Sequence, residues 1–328
     1  MDFSHFSMTL VLLVLLALAF DFMNGFHDAA NSIATVVSTG VLKPWQAVIW
    51  AAFFNVLAWG VFHLSVASTV GKGIIDPAFV DSRLIFGALI GAISWNGITW
   101  YYGIPSSSSH ALIGGMIGAA MSKAGTAPLL APGIIKTAAF IFISPLFGML
   151  LGALIMLSLS WAFFRQTPRR VDRWFRRLQL ISSAAYSTGH GGNDAQKTMG
   201  IIVGLLVSAN SLFAQETGFL HHFYLADNKT IPYWVEIGAY SAISLGTLFG
   251  GWRIVKTMGT RITKLRPVGG FCAETGGAIA IMVATHFGIP VSTFLARVLS
   301  ATLVSATLAA ASPDLVSATA ERAVSSPS

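Results

Sequence analysis

The chain has 328 residues, of which 54% are hydrophobic and only 10% charged. Soluble domains carry about 25% charged residues, so this composition and a mean hydropathy of +0.70 exclude a soluble enzyme and indicate a polytopic membrane protein. The formal net charge of +7 would suit nucleic acid, but six arginines fall between Arg165 and Arg177 and five basic residues between Arg253 and Arg266. Two short basic loops between apolar segments follow the positive-inside rule, so lipid and not nucleic acid is the expected surrounding. The single cysteine, Cys272, excludes an internal disulfide and a cysteine-based metal cluster.

Met1 to Met8 contains no Lys or Arg, and no cleavage site precedes Asp21. Thr9 to Phe20 therefore reads as an uncleaved first helix with its N-terminus outside, continuing to about Val37. Gly25 and the polar residues around it predict a break or kink in that helix. Gln46 to Val66 is expected to span, Gly71 to Arg83 to be a polar connection, and Leu84 to Tyr102 to span. Trp95, Trp100, Tyr101 and Tyr102 fit a membrane interface. Ala111 to Met121 is too short to cross at about 20 residues per span, which predicts a re-entrant segment. Gly133 to Phe164 is over-long and contains Pro145, so it reads as one kinked helix or two pieces. Leu180 to Leu212, Trp234 to Trp252 and Val268 to Phe287 are the later apolar segments, with a polar outer loop from Phe213 to Tyr233.

Two polar insertions interrupt these apolar runs, and each occurs twice. Asn24-Gly-Phe-His-Asp-Ala-Ala-Asn-Ser32 returns as Gly189-His-Gly-Gly-Asn-Asp-Ala-Gln-Lys-Thr198. Aligning Asp28 with Asp194 sets His27 against Asn193, Asn31 against Lys197 and Ser32 against Thr198. Gly103-Ile-Pro-Ser-Ser-Ser-Ser-His110 returns as Gly288-Ile-Pro-Val-Ser-Thr293. The same insertions in the same order predict an internally duplicated membrane protein with its site between the halves. The expected divisions are 1–164 for the first repeat, 165–179 for a basic cytoplasmic linker, 180–293 for the second repeat and 294–328 for an atypical tail. That tail has no glycine and is rich in Ala and Ser, which fits a truncated or frame-shifted end, or a disordered one.

A carboxylate within a membrane helix costs about 2.5–3.5 kcal/mol and marks a functional site by default. Asp28, Asp194 and Glu274 are such residues. Carboxylates flanked by Asn, Ser and Thr suit a hard cation or proton together with an oxyanion. Each Gly-Ile-Pro step can begin a re-entrant helix whose N–H groups and hydroxyls cradle an anion. Sulfate, phosphate and carboxylate all satisfy that cradle. Only phosphate carries a proton near pH 7 to donate to an aspartate, which favours it over sulfate. Imidazole is the side chain whose charge changes in the range useful for proton coupling, so His27, beside Asp28, is a candidate, as are His110 and His190. Lys197 can neutralise Asp194 or contact the anion. No Gly-x-Ser-x-Gly elbow supports a hydrolase.

These residues resemble the inorganic phosphate transporter (PiT) family, whose signature is a duplicated Gly-x-Asn-Asp-x-Ala-Asn motif with a Gly-x-Pro-x-Ser-Thr/Ser step after each copy. Gly25-Phe-His-Asp-Ala-Ala-Asn31 looks like its bacterial low-affinity phosphate:proton symporter branch. The resemblance implies an all-α polytopic membrane protein of two inverted homologous repeats, each with a broken or re-entrant helical hairpin, in the bacterial inner membrane. It implies secondary active import of inorganic phosphate, or of a metal–phosphate complex, by symport with a proton, sodium being the other coupling ion known in the family. Phosphate contacts carried over are Asp28, Ser107, Ser108, Asn193, Asp194, Ser292 and Thr293. Coupling-ion positions are Asn24, Asn31, Asp28 and Asp194, to which residue chemistry adds His27 and Glu274. No cofactor is implied, and a homodimer is compatible. A sulfate transporter of the same fold and a phosphate-sensing membrane component are the competing readings. Lys197 in place of a second Asn31, and Phe294 after Thr293 where a hydroxyl-histidine continuation is usual, are the two departures from the pattern.

Overall fold

The computed structural model describes residues 3–62, 65–210, 223–225, 231–258, 265–293, 298–304 and 306. Its elements are α1 (Phe3–Ser38), α2 (Pro44–Leu57), a 3-10 turn (Ala58–Gly60), α3 (Ser65–Lys72), a second 3-10 turn (Pro77–Phe79), α4 (Ser82–Tyr102), α5 (Ser108–Ala124) and α6 (Ala131–Ala162). After them come α7 (Pro168–Ser208), α8 (Tyr233–Phe249), α9 (Trp252–Thr257) and α10 (Pro267–His286). Residues 298–304 are also helical. Four helices among the described residues are long and apolar enough to cross a membrane: Met8–Ser38, Ser82–Tyr102, Ala131–Ala162 and Pro267–His286.

The burial pattern inverts that of a soluble protein. Phe53, Phe142, Leu150, Leu154 and Trp161 are exposed, whereas Asp28, Asp194, Lys197 and Glu274 are buried. In hydrocarbon the apolar surface needs no cover, and the polar groups must find partners inside.

The two halves show their kinship most clearly at the Gly-Ile-Pro steps. Gly103 and Gly288 both have φ +65, the left-handed conformation that ends a helix without a β-carbon penalty. Gly103 N–H donates to Trp100 O and Ile104 N–H to Thr99 O, at 3.0 and 2.8 Å. Gly288 N–H donates to Thr285 O and Ile289 N–H to Ala284 O, at 3.0 and 2.9 Å. The same cap closes α4 and α10, and each chain then turns back into a hydroxyl-bearing segment. The first of these begins α5, capped by Ser107, whose Oγ accepts from His110 N–H at 3.3 Å.

Several expectations are corrected. No break occurs at Gly25: α1 is one continuous helix. A β-carbon there would overlap the Ile243 carbonyl, and one at Gly246 would overlap the Phe22 carbonyl, so Gly25 lets α1 and α8 cross closely. The break falls instead within Gln46 to Val66. That stretch stops at Leu57, tightens into a 3-10 turn and resumes as α3, because it packs against α7 and α8 rather than facing lipid throughout. The arginine segment is no loop: Pro168 starts α7, and Arg169 to Arg177 form its first turns. Arg253 and Lys256 likewise lie in α9. Of the two readings of the Pro145 segment, the single helix holds: α6 runs through the proline without dividing into two pieces. Most of the Phe213 to Tyr233 loop and most of the tail lie outside the described residues, but Ser300, Ala301 and Val304 are buried. Ser300 and Val304 pack where Gly148 and Gly152 of α6 leave room.

Candidate functional site

Both motif copies sit in mid-helix, where α1 and α7 pack together. In an α-helix, residues three and four apart share a face. Asn24, Asp28 and Asn31 therefore project together from α1, and His190, Asp194 and Lys197 from α7. The structure brings Asp28, His190 and Asp194 into one group, with a ligand atom of each within 4.8 Å of the others. All three are buried.

Lys197 is the centre of the polar network. Its ammonium donates to Asp194 Oδ1, Ser109 Oγ and the Val291 carbonyl. It thereby neutralises Asp194 and ties α7 to both hydroxyl steps. His190 Nε2 lies 3.3 Å from the other Asp194 oxygen. Asn31, the counterpart of Lys197, reaches across to the second step and donates from Nδ2 to Thr293 Oγ1 at 3.3 Å. The matched positions of the two motif copies thus each contact the hydroxyl step of the opposite half.

His27 and Asn193, also matched, bond to the helix ahead of a step. His27 Nδ1 is 2.9 Å from Asp28 Oδ1, and Nε2 is 3.0 Å from Thr99 Oγ1 on α4. Asn193 Nδ2 donates to Thr285 Oγ1 and to Ile289 O, and its Oδ1 accepts from Val291 N–H. Asn193 therefore braces the second step. Of the hydroxyls, Ser107 Oγ accepts the cap bond and keeps its own proton to donate, Tyr186 holds the Thr293 carbonyl at 2.6 Å, and Ser292 and Thr293 are buried. The Ser108 hydroxyl is fully buried and has no partner.

Glu274 stands apart from this network. Its carboxylate accepts from Ser182 Oγ at 2.6 Å, Gln179 Nε2 at 3.3 Å and Thr35 Oγ1. Thr35 is seven residues beyond Asp28, about 10 Å along a continuous helix at 1.5 Å per residue. Sequence reasoning missed Asp21, which is wholly buried one turn before Asn24. Its counterpart in the second half is Ser187, so the duplication that exposed the other site residues gave no sign of it.

Comparison with known proteins identifies the family. The family model described as the phosphate transporter family matches residues 24–169 and 164–324, one match per half. A Rhizobium meliloti (strain 1021) protein named "Probable low-affinity inorganic phosphate transporter" is 57% identical over 284 residues, covering 87% of this chain and 81% of that protein. A Bacillus subtilis (strain 168) protein of the same name is 45% identical over 285 residues, covering 86% and 81%. A solved structure titled "The sodium-dependent phosphate transporter" shares the fold, with a TM-score of 0.81 at 22% identity over 92% of this chain and 90% of that one. The two-repeat, all-helical, multi-pass membrane chain belongs to the phosphate transporter family.

Proposed function

We propose that the protein imports inorganic phosphate across the bacterial inner membrane by cation symport, with the proton as coupling ion and a neutral metal–phosphate complex among its substrates. One observation carries this: buried residues of both halves, Asp28, His190 and Asp194, converge beside hydroxyl steps that Lys197 and Asn31 link across the halves. Ser108 offers an unpartnered hydroxyl at the start of α5, where the helix N-terminus favours an anion. Asp28 and Asp194 accept from the protonated oxygens of phosphate, which sulfate lacks. The substrate-side groups are Asp28, Asp194, Ser107, Ser108, Ser292 and Thr293, with Asn193 positioning the second step.

The proton reading follows from hydrogen-bond roles at His27. Thr99 Oγ1 lies 2.9 Å from the Trp95 carbonyl, to which it donates. With the Thr99 proton on that carbonyl, His27 Nε2 donates to Thr99, and the 2.9 Å contact between Nδ1 and Asp28 then holds one proton between the two side chains. Delivery of that proton discharges the Asp28 side of the site as phosphate binds, and the halves then rearrange to open it on the other face. The site residues are buried, as the occluded stage of such a cycle requires.

The test is labelled phosphate uptake in phosphate-transport-deficient bacteria expressing the chain, with and without a protonophore, beside Asp28→Asn. Uptake lost with both treatments is the expected result. Uptake unaffected by the protonophore overturns proton coupling, and no uptake from membrane-inserted protein overturns the transport reading.

A further inference from the structure

The first turns of α7 carry more positive charge than the chain balances. Five arginines lie between Pro168 and Gln179, all of them exposed, and Asp172 is the one acid among them. Asp172 is taken by Arg176, whose Nε donates to it at 2.9 Å. Arg176 also donates to the Gly40 carbonyl just beyond the end of α1, and Arg170 donates to Gln166 Oε1. The side chains of Arg169, Arg173 and Arg177 make no ion pair or hydrogen bond among the described residues. They recur every fourth residue, so they form one stripe along the helix, about 6 Å from one to the next at 1.5 Å per residue. Like charges at this spacing repel each other.

The neighbouring stripe is apolar. Trp174 and Leu178 each directly follow one of these arginines, Ile181 continues their line three residues on, and all three are exposed. Beyond the last turn of α6, Phe163 packs edge-on against Trp174 and Phe175, at 5.9 and 5.7 Å. Phe175 is buried and meets Phe271 of α10 edge-on at 5.3 Å. These ring contacts fix how the first turns of α7 are rotated and leave the arginine stripe outward. Trp161 and Phe164 beside them are 84% and 70% exposed.

Exposed aromatic rings around a helix end suit the headgroup level of a membrane, and basic segments next to apolar spans lie on its cytoplasmic side. Arginines at that level run their stems along apolar surface and place their guanidinium groups among the headgroups. A guanidinium pairs with phosphate oxygens through two parallel N–H bonds. A zwitterionic lipid brings its own cation and offsets none of the excess charge, whereas a headgroup of net negative charge offsets it. A soluble anion would match the arginines but leave Trp174, Leu178 and Ile181 uncovered.

We propose that Arg169, Arg173 and Arg177 form a seat for the headgroup of an anionic phospholipid of the cytoplasmic leaflet, whose acyl chains lie along Trp174, Leu178 and Ile181. The seat stands whether or not the transport reading holds. It also bears on how the halves join, because Arg176 on the same turns holds the Gly40 carbonyl of the first half. Discharging its neighbours favours the helical turns that keep this link in place.

The experiment is native mass spectrometry of the purified full chain in a neutral detergent, titrated with dioleoyl phosphatidylglycerol or dioleoyl phosphatidylcholine. Saturable binding of phosphatidylglycerol, tighter than that of phosphatidylcholine, is expected in the wild type. An arginine near a lipid surface contributes about fivefold to binding. Arg173→Gln should therefore weaken phosphatidylglycerol about fivefold, and glutamine at all three positions should bring it to the phosphatidylcholine level. Lysine at all three should keep the preference, and Arg83→Gln, at an exposed arginine of α4, should change nothing. An unchanged melting temperature in phosphatidylcholine is the check on folding, and Arg173→Gln alone decides the matter if the triple variant does not fold. Equal binding of the two lipids by the wild type, or a preference that survives the substitutions, overturns the seat. If the wild type shows no lipid preference but binds polyglutamate or inorganic phosphate through these three arginines, the partner is an acidic protein or a soluble anion, and the seat is again overturned.

Discussion

Lys197 carries a structural and an electrostatic duty at once, and the two can be separated. Removing the ammonium leaves the buried Asp194 carboxylate without its lysine, with only His190 beside it, and breaking a buried pair in this way costs about 3–5 kcal/mol. Lys197→Met should therefore lower thermal stability in detergent sharply. Adding Asp194→Asn removes the stranded charge and should restore part of it, although neither variant should transport. If the double variant is no more stable than the single one, the pairing is not what stabilises this region. The serines give a second contrast. Ser107 caps α5, so Ser107→Ala should cost about 1 kcal/mol of stability. Ser108 Oγ bonds nothing among the described residues, so Ser108→Ala should leave the melting temperature alone and raise the KM for phosphate. Equal effects of the two on stability and KM would contradict these roles.

At the scale of whole elements, glycine sets how closely helices approach. Gly25→Ala places a methyl group against the Ile243 carbonyl, and overpacking of this kind costs about 1–3 kcal/mol. Gly246→Ala should cost as much, and the double variant less than the sum, because both act on one crossing of α1 and α8. Thermal unfolding of the three proteins checks this. The hairpin of α4 and α5 is closed at its end by Asp81, which accepts from Leu84 N–H at 2.9 Å and from Lys123 Nζ at 2.7 Å. Burial alone would raise the Asp81 carboxyl, but Lys123 and the Leu84 amide hold it below the usual range. Its folded-state pKa is thus depressed, so its contribution is complete above about pH 3.9, the unfolded value, and is lost as pH falls through the lower folded value. With side chains 43% and 36% exposed, the pair contributes below about 1 kcal/mol. The stability difference between wild type and Lys123→Met should accordingly be small at pH 6 and vanish toward acid. What the sequence made legible at this scale was duplication: paired Asp residues and paired Gly-Ile-Pro steps stand out because polar residues in apolar runs are rare. The break after Leu57 was hidden because Gln46 to Val66 is evenly apolar, and hydropathy does not record whether a helix faces lipid or protein. Asp21 was hidden because it has no copy in the second half, and the separate setting of Glu274 because only tertiary packing brings Thr35, Gln179 and Ser182 around it.

For the whole molecule, what matters is that each half completes the other. Asn31 of the first half bonds Thr293 of the second, and Lys197 of the second bonds Ser109 of the first. Any rearrangement that opens the site to one face of the membrane must part at least one of these links, because they close the space between the motif helices and the hydroxyl steps. A covalent bond replacing a link should then hold the occluded stage. Asn31 and Thr293 are suited to this, with side-chain atoms 3.3 Å apart, while the native Cys272 is buried on α10 against Met156. Asn31→Cys with Thr293→Cys should form a disulfide under mild oxidation, provided the two backbones meet the bond's spacing. Oxidation of the double variant should lower phosphate exchange across proteoliposomes relative to its own reduced form, and a thiol reductant should restore it. Exchange that continues unchanged in a demonstrably cross-linked protein would mean that the halves do not separate at this link, and that access to the site opens elsewhere in the fold.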